Sequence, residues 1–116
     1  MQVSKFLGLA AKYAISHTIN KDKRCFWLGA VAVRSDGTVV HARNGSSYHR
    51  CPKAHCEVRL MRKVDVGAIV FVARVLRDGS LAQAKPCHNC QSSLRNFGVQ
   101  EVYYTIQKDI YGRIIL

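Results

Sequence analysis

Two short runs in this 116-residue chain carry side chains whose types and spacing can do chemistry: His55-Cys56-Glu57 and Pro86-Cys87-His88-Asn89-Cys90. Zinc takes imidazole and thiolate ligands in a tetrahedron, and a catalytic zinc site keeps one position open for water. His55, Cys87 and Cys90 supply three protein ligands and leave that fourth position free. A Cys-x-x-Cys on the first turn of a helix lets both sulfurs converge on one ion, and the positive end of the helix dipole favours their thiolate form. Glu57 can lie beside the water without ligating the metal. A purely structural zinc would want a fourth protein ligand, for which Cys51, His49, Cys56 and His88 are the candidates. That reading leaves Glu57 without a purpose. The five cysteines are an odd set, which reads as metal or redox chemistry rather than a disulfide framework.

These groups need elements to hold them, and the hydrophobic pattern supplies them. Residues 3–16 place Val3, Phe6, Leu7, Ala10, Tyr13 and Ala14 at helical spacing. Two strands, 26–33 and 38–42, flank Ser35-Asp36-Gly37, a hairpin signal. A loop over 43–53 leads into a second helical stretch, 54–64, which carries His55 and Glu57. Residues 67–76 form a nearly continuous apolar, β-branched run, as in a central strand covered on both faces. Pro86 opens a helix over 87–97, which Gly98 closes. A strand follows over 99–106. If 110–116 is a further strand it must run antiparallel, because a parallel crossover needs roughly a dozen residues or more. The order α-β-β-α-β-α-β-(β) predicts an α/β fold, a three-layer α-β-α sandwich on a mixed sheet of four to five strands. The whole of 1–116 reads as one domain, with the zinc between two helix N-termini.

The order and spacing of the two motifs resemble the cytidine deaminase-like superfamily, whose signature is His-x-Glu followed by Pro-Cys-x-x-Cys. The similarity runs from the first hairpin through Tyr104. It implies hydrolytic deamination of cytosine to uracil with one catalytic Zn2+ held by His55, Cys87 and Cys90. Glu57 would then deliver one proton from the water to ring nitrogen N3 and, after attack at C4, help protonate the departing amine with a second. The resemblance also implies that the backbone around His55 and Cys56 hydrogen-bonds the base edge and that Asn44 contacts sugar or base. The Cys56 side chain itself packs rather than ligates.

Charge narrows the substrate. Eighteen Lys and Arg against seven Asp and Glu give a net +11, which points to a polyanionic partner. Arg43, Arg50 and Lys53 precede or enter the His55 helix, Arg59 sits on it, and Lys85 immediately precedes Cys87. Cations ringing a pocket can hold several phosphates of one strand, which a free nucleoside does not need. Tyr48, and Tyr103 or Tyr104, are candidates to stack on bases, although one of two adjacent strand tyrosines normally faces the core. The favoured partner is a nucleic acid, most simply single-stranded DNA. Free cytidine, deoxycytidine or their monophosphates are the alternative; adenosine in RNA is a third, and a zinc-stabilised nucleic-acid-binding module without catalysis a fourth. The tRNA-editing branch of the superfamily adds a helix and a parallel strand after the position of Tyr104, whereas an antiparallel ending resembles the division holding free cytidine deaminases and toxin-like DNA deaminases. With no apolar leader and no run of membrane-spanning length, the sequence predicts a cytoplasmic protein off the membrane, with a monomer favoured over an oligomer.

Glu57 separates enzyme from binding module. Glu57→Ala is expected to reduce turnover by about 10²–10⁴-fold or more, the usual worth of a general acid–base group, while zinc content by atomic absorption and the circular dichroism spectrum stay unchanged.

Overall fold

The structure, a computed structural model, describes residues 2–15, 26–43, 64–76 and 78–116. The expected loop and helix over 44–63 lie outside the described residues. Helix α1 (Val3–Ile15) is followed by strands β1 (Phe26–Val33), β2 (Val39–Arg43), β3 (Ile69–Leu76) and β4 (Leu81–Ala82). Helix α2 (His88–Asn96) and strands β5 (Glu101–Gln107) and β6 (Ile110–Ile115) complete the order. The strands form one six-stranded sheet ordered β2-β1-β3-β5-β6, with β4 paired to β3. Among the described residues, β3 and β5 pair parallel and the other pairs are antiparallel. The α/β fold and mixed sheet match expectation, and the strand count exceeds it. The additional strand, β4, spans two residues, too few to show a period of two in the sequence.

Alternation along β3 explains why the sheet needs cover on both sides. Phe71, Ala73 and Val75 face α1, where Phe6 stacks on Phe71 at 4.9 Å and Ala10 packs on Val31 and Ala73. Val70 and Val72 face the other way, into a cluster with Ala30, Ala32, Leu94 of α2 and Val102 of β5. A strand apolar on both faces is stable only between two layers, which is what its uninterrupted sequence requires.

Turn chemistry sets the connections. In the β1–β2 hairpin, Gly37 takes φ +89° and the Asp36 carboxylate accepts from the Thr38 N–H at 2.9 Å. That bond holds the Asp36 carboxyl below its ordinary pKa. At the end of α2, Gly98 takes φ +89° and Val99 N–H donates to Leu94 O at 3.1 Å, closing the helix as expected. Lys108 and Asp109 turn the chain from β5 into β6, the antiparallel ending anticipated from the short connection.

Helix α1 lies against bare backbone. A Cβ built on Gly29 would sit 2.2 Å from Ala10 O and 2.7 Å from Ala14 N, so neither helix nor strand can yield locally. Small residues on both sides permit this approach. Gly29→Ala is therefore expected to lower stability by about 1–3 kcal/mol or more, as overpacking does. Gly8→Ala, exposed in α1 with open space around it, is expected to raise stability by about 0.5–1 kcal/mol. Urea unfolding of the two variants checks both signs.

Candidate functional site

The start of α2 is prepared by its neighbours. Strands β3 and β5 run parallel in register from Ile69↔Glu101 to Val72↔Tyr104. Beyond that point β4 takes over the edge of β3, pairing Ala82 with Arg74 and Leu81 with Val75. Its continuation reaches β5, where Ala84 N–H donates to Thr105 O at 2.9 Å. The strand ends are thus wedged apart, and Thr105 bridges the gap. Its hydroxyl accepts from Arg74 N–H at 3.2 Å and donates to Ala82 O at 2.8 Å. Thr105 is 2% exposed, so both bonds form out of water, where an unmatched partner is costly. Ala84 and Pro86 are buried along the path that leads into Cys87.

Cys87 is the N-cap of α2, and its sulfur accepts from Cys90 N–H at 3.4 Å. Cys90 is buried in the first turn, and the two sulfurs lie 3.2 Å apart. Gln91 donates from Nε2 to Pro86 O at 2.8 Å, tying the turn to the segment before it. Two thiolates on a tetrahedral zinc with bonds of about 2.3 Å stand about 3.8 Å apart, so roughly half an ångström of sulfur movement admits the ion. The pair is soft, convergent and placed at the positive end of a helix, which fits zinc. Among the described residues no group of three His, Cys, Asp or Glu side chains gathers for a metal. The expected third ligand, His55, lies outside them.

Beside Cys87 opens a hollow of about 450 Å³, lined by Arg74 of β3 together with Gln83, Lys85, His88 and Gln91. Lys85, expected from sequence to meet nucleic acid, is exposed at this rim. Arg74 shares its side of β3 with Val70 and Val72, the side that faces α2.

The adjacent tyrosines part company. Tyr103 faces the α1 side, stacked on Phe71 at 5.3 Å and edge-on to Tyr111 at 6.0 Å. Its hydroxyl donates to Glu101, which also meets Arg113. Burial, then the Glu101 charge, raise the Tyr103 pKa, while the Arg113 hydrogen bond lowers that of Glu101. Tyr104 faces the α2 side, half-buried, its ring lying across Gly112 of β6. Of the remaining sequence-derived candidates, Arg43 ends β2 opposite Gly29. Asn44, Tyr48, Arg50, Lys53, Cys56, Glu57 and Arg59 lie outside the described residues. Sequence reasoning missed Thr105, whose signal was a single threonine among the apolar and aromatic residues of the strand Val-Tyr-Tyr-Thr-Ile.

Comparison with known proteins agrees with this fold. The family model described as the cytidine and deoxycytidylate deaminase zinc-binding region matches residues 1–106. The fold is similar to the crystal structure of cytidine deaminase from Burkholderia pseudomallei, with a TM-score of 0.68 at 18% identity over 99% of this chain and 93% of that one. Cytidine deaminase from Mycobacterium leprae gives 0.60 at 17% identity, covering 99% and 93%. That from Mycobacterium tuberculosis gives 0.57 at 23% identity, covering 90% and 85%. No curated protein matches the chain. Among the described residues no helix is long and apolar enough to cross a membrane.

The hydroxyl of Thr105 gives this site its test. Thr105→Val keeps the volume but removes the acceptor of Arg74 N–H and the donor to Ala82 O. It is expected to cost about 1–3 kcal/mol of stability in urea unfolding, whereas Thr105→Ser should retain most of it.

Proposed function

Because this chain belongs to the cytidine and deoxycytidylate deaminase zinc-binding family, we propose that it hydrolyses cytosine to uracil and ammonia within single-stranded DNA. The observation that carries the deaminase reading is the pair of convergent sulfurs of Cys87 and Cys90 on the first turn of α2. With His55 they would hold zinc, whose contribution is to make water a nucleophile near neutral pH. Glu57 takes the proton released by that water and delivers it to N3, which leaves C4 open to attack. Once the water oxygen has bonded C4, the same carboxyl would take the second proton from that oxygen and pass it to the amine, so that the C4–N bond breaks and ammonia departs. Asn44 and the backbone at Cys56 orient the base, and Tyr48 and Tyr104 stack on it or its neighbours.

The polynucleotide substrate is supported by charge. A net +11 on 116 residues exceeds what solubility asks of a small domain. The cations Arg43, Arg50, Lys53, Arg59 and Lys85 would follow the phosphates of one strand. A second reading has its own support. The fold is similar to three bacterial cytidine deaminases, and β6 closes the sheet antiparallel. On that reading the substrate is free cytidine, deoxycytidine or a monophosphate.

One comparison divides the two. Zinc-loaded protein is offered a single-stranded DNA oligonucleotide, deoxycytidine and deoxycytidylate at matched cytosine concentration, with Glu57→Ala as the blank. Uracil forming in the oligonucleotide, with little free-nucleotide turnover, is the expected result. Fast turnover of a free nucleotide with an untouched oligonucleotide overturns the polynucleotide reading and leaves the deaminase standing.

A further inference from the structure

We propose that the hollow beside Cys87 is a seat for one phosphate of the substrate, gripped by Arg74 and Lys85. The inference rests on the reading of this site as a cytosine deaminase and names what its neighbouring cavity holds. The two cations come from different elements, Arg74 from β3 and Lys85 from the segment entering α2, yet they line one hollow of about 450 Å³. No carboxylate is among its described lining residues; the others are polar amides, an imidazole, a proline and Cys87 itself. The volume lies within the range of small-ligand sites and accommodates a phosphate with its adjoining sugar.

The chemistry of the two cations suits one oxyanion. A guanidinium offers a planar fork that grips two phosphate oxygens, and an ammonium adds a point charge from any direction. Arg74 is held by its surroundings: its backbone N–H is bound to Thr105 and its Nε is shielded from solvent. Lys85 is exposed and free to swing onto the ligand. Gln91, tied to Pro86 O, forms a fixed wall. Cys87 lies on the rim, so a phosphate seated here belongs to the nucleotide whose base is processed or to its immediate neighbour. An unphosphorylated nucleoside has nothing to place in it.

The test uses zinc-loaded full-length protein and fluorescence anisotropy with oligothymidylate, which carries phosphates and no cytosine. Binding is measured from about 50 to 200 mM salt for the parent, Arg74→Gln, Lys85→Gln, the double glutamine variant and Arg74→Lys. Each glutamine variant is expected to flatten the slope of log K against log salt, and the double glutamine variant to flatten it by about 0.7, the value for one phosphate contact to a single strand. Arg74→Lys is expected to keep the parent slope. A misfolded variant would weaken binding at every salt concentration without that difference. A parallel arm compares deoxycytidylate with deoxycytidine. If the slopes do not change but both glutamine variants lose a preference for the monophosphate, the seat stands and its phosphate is that of a free nucleotide. If neither slope nor preference changes, the seat is overturned. A flattened slope in protein that leaves cytosine oligonucleotides untouched keeps the seat and sinks the proposed function instead.

Discussion

Past Val72 and Tyr104 the parallel ladder between β3 and β5 ends, and the backbone groups beyond it need other partners. Strand β4 and the hydroxyl of Thr105 supply them, the hydroxyl reaching from β5 to Arg74 of β3 and Ala82 of β4. Everything near the candidate metal centre depends on this divergence. A continuous β3–β5 ladder would leave no room for residues 81–86 to enter the sheet and deliver Cys87 to the start of α2. The carboxyl ends of parallel strands are where open α/β sheets place their ligands, because the connections part there. In this chain the parting is enforced by a buried hydroxyl, and its removal would leave polar backbone in an apolar setting.

The same arrangement decides which charges meet the site. Arg74 would be an anomaly in a strand buried on both faces, since a guanidinium rarely enters an apolar core. It is tolerated because β5 has already left that edge and the side chain opens onto a hollow. Lys85 arrives at the same place from the other side. The two thiols sit at the end of a helix with no acidic residue in its first turn, so the helix dipole is not offset there.

On the opposite face the sheet is closed by contact rather than chemistry. Ala10 and Ala14 bring α1 down onto Gly29, and Phe6, Phe71 and Tyr103 stack in sequence across the strands, with Tyr111 edge-on to Tyr103. Tyr13 lies flat on His41 at 3.8 Å. This face holds the cover that lets the central strand be apolar on both sides.

Local chemistry was legible in the residues themselves. The hairpin at Asp36-Gly37, the glycine stop of α2, the antiparallel ending and the doubly buried β3 each follow from a steric or hydrophobic rule acting within a few positions. So did the Cys87–Cys90 pair, because the reach of two thiols on one helical turn is fixed by the turn. Strand β4 was not legible, since two residues carry no period and their pairing exists only because β5 has moved away. For the same reason Thr105 read as one more strand residue. Tyr103 and Tyr104 could be told to oppose each other, but not which faced the helix that carries the cysteines, because alternation sets relative orientation and only packing sets its sign. The residue types and spacings by themselves determined the chemistry this chain can attempt. Where Arg74, Lys85 and Cys87 come together was decided by tertiary structure, because their meeting depends on a gap between strands that no local pattern encodes.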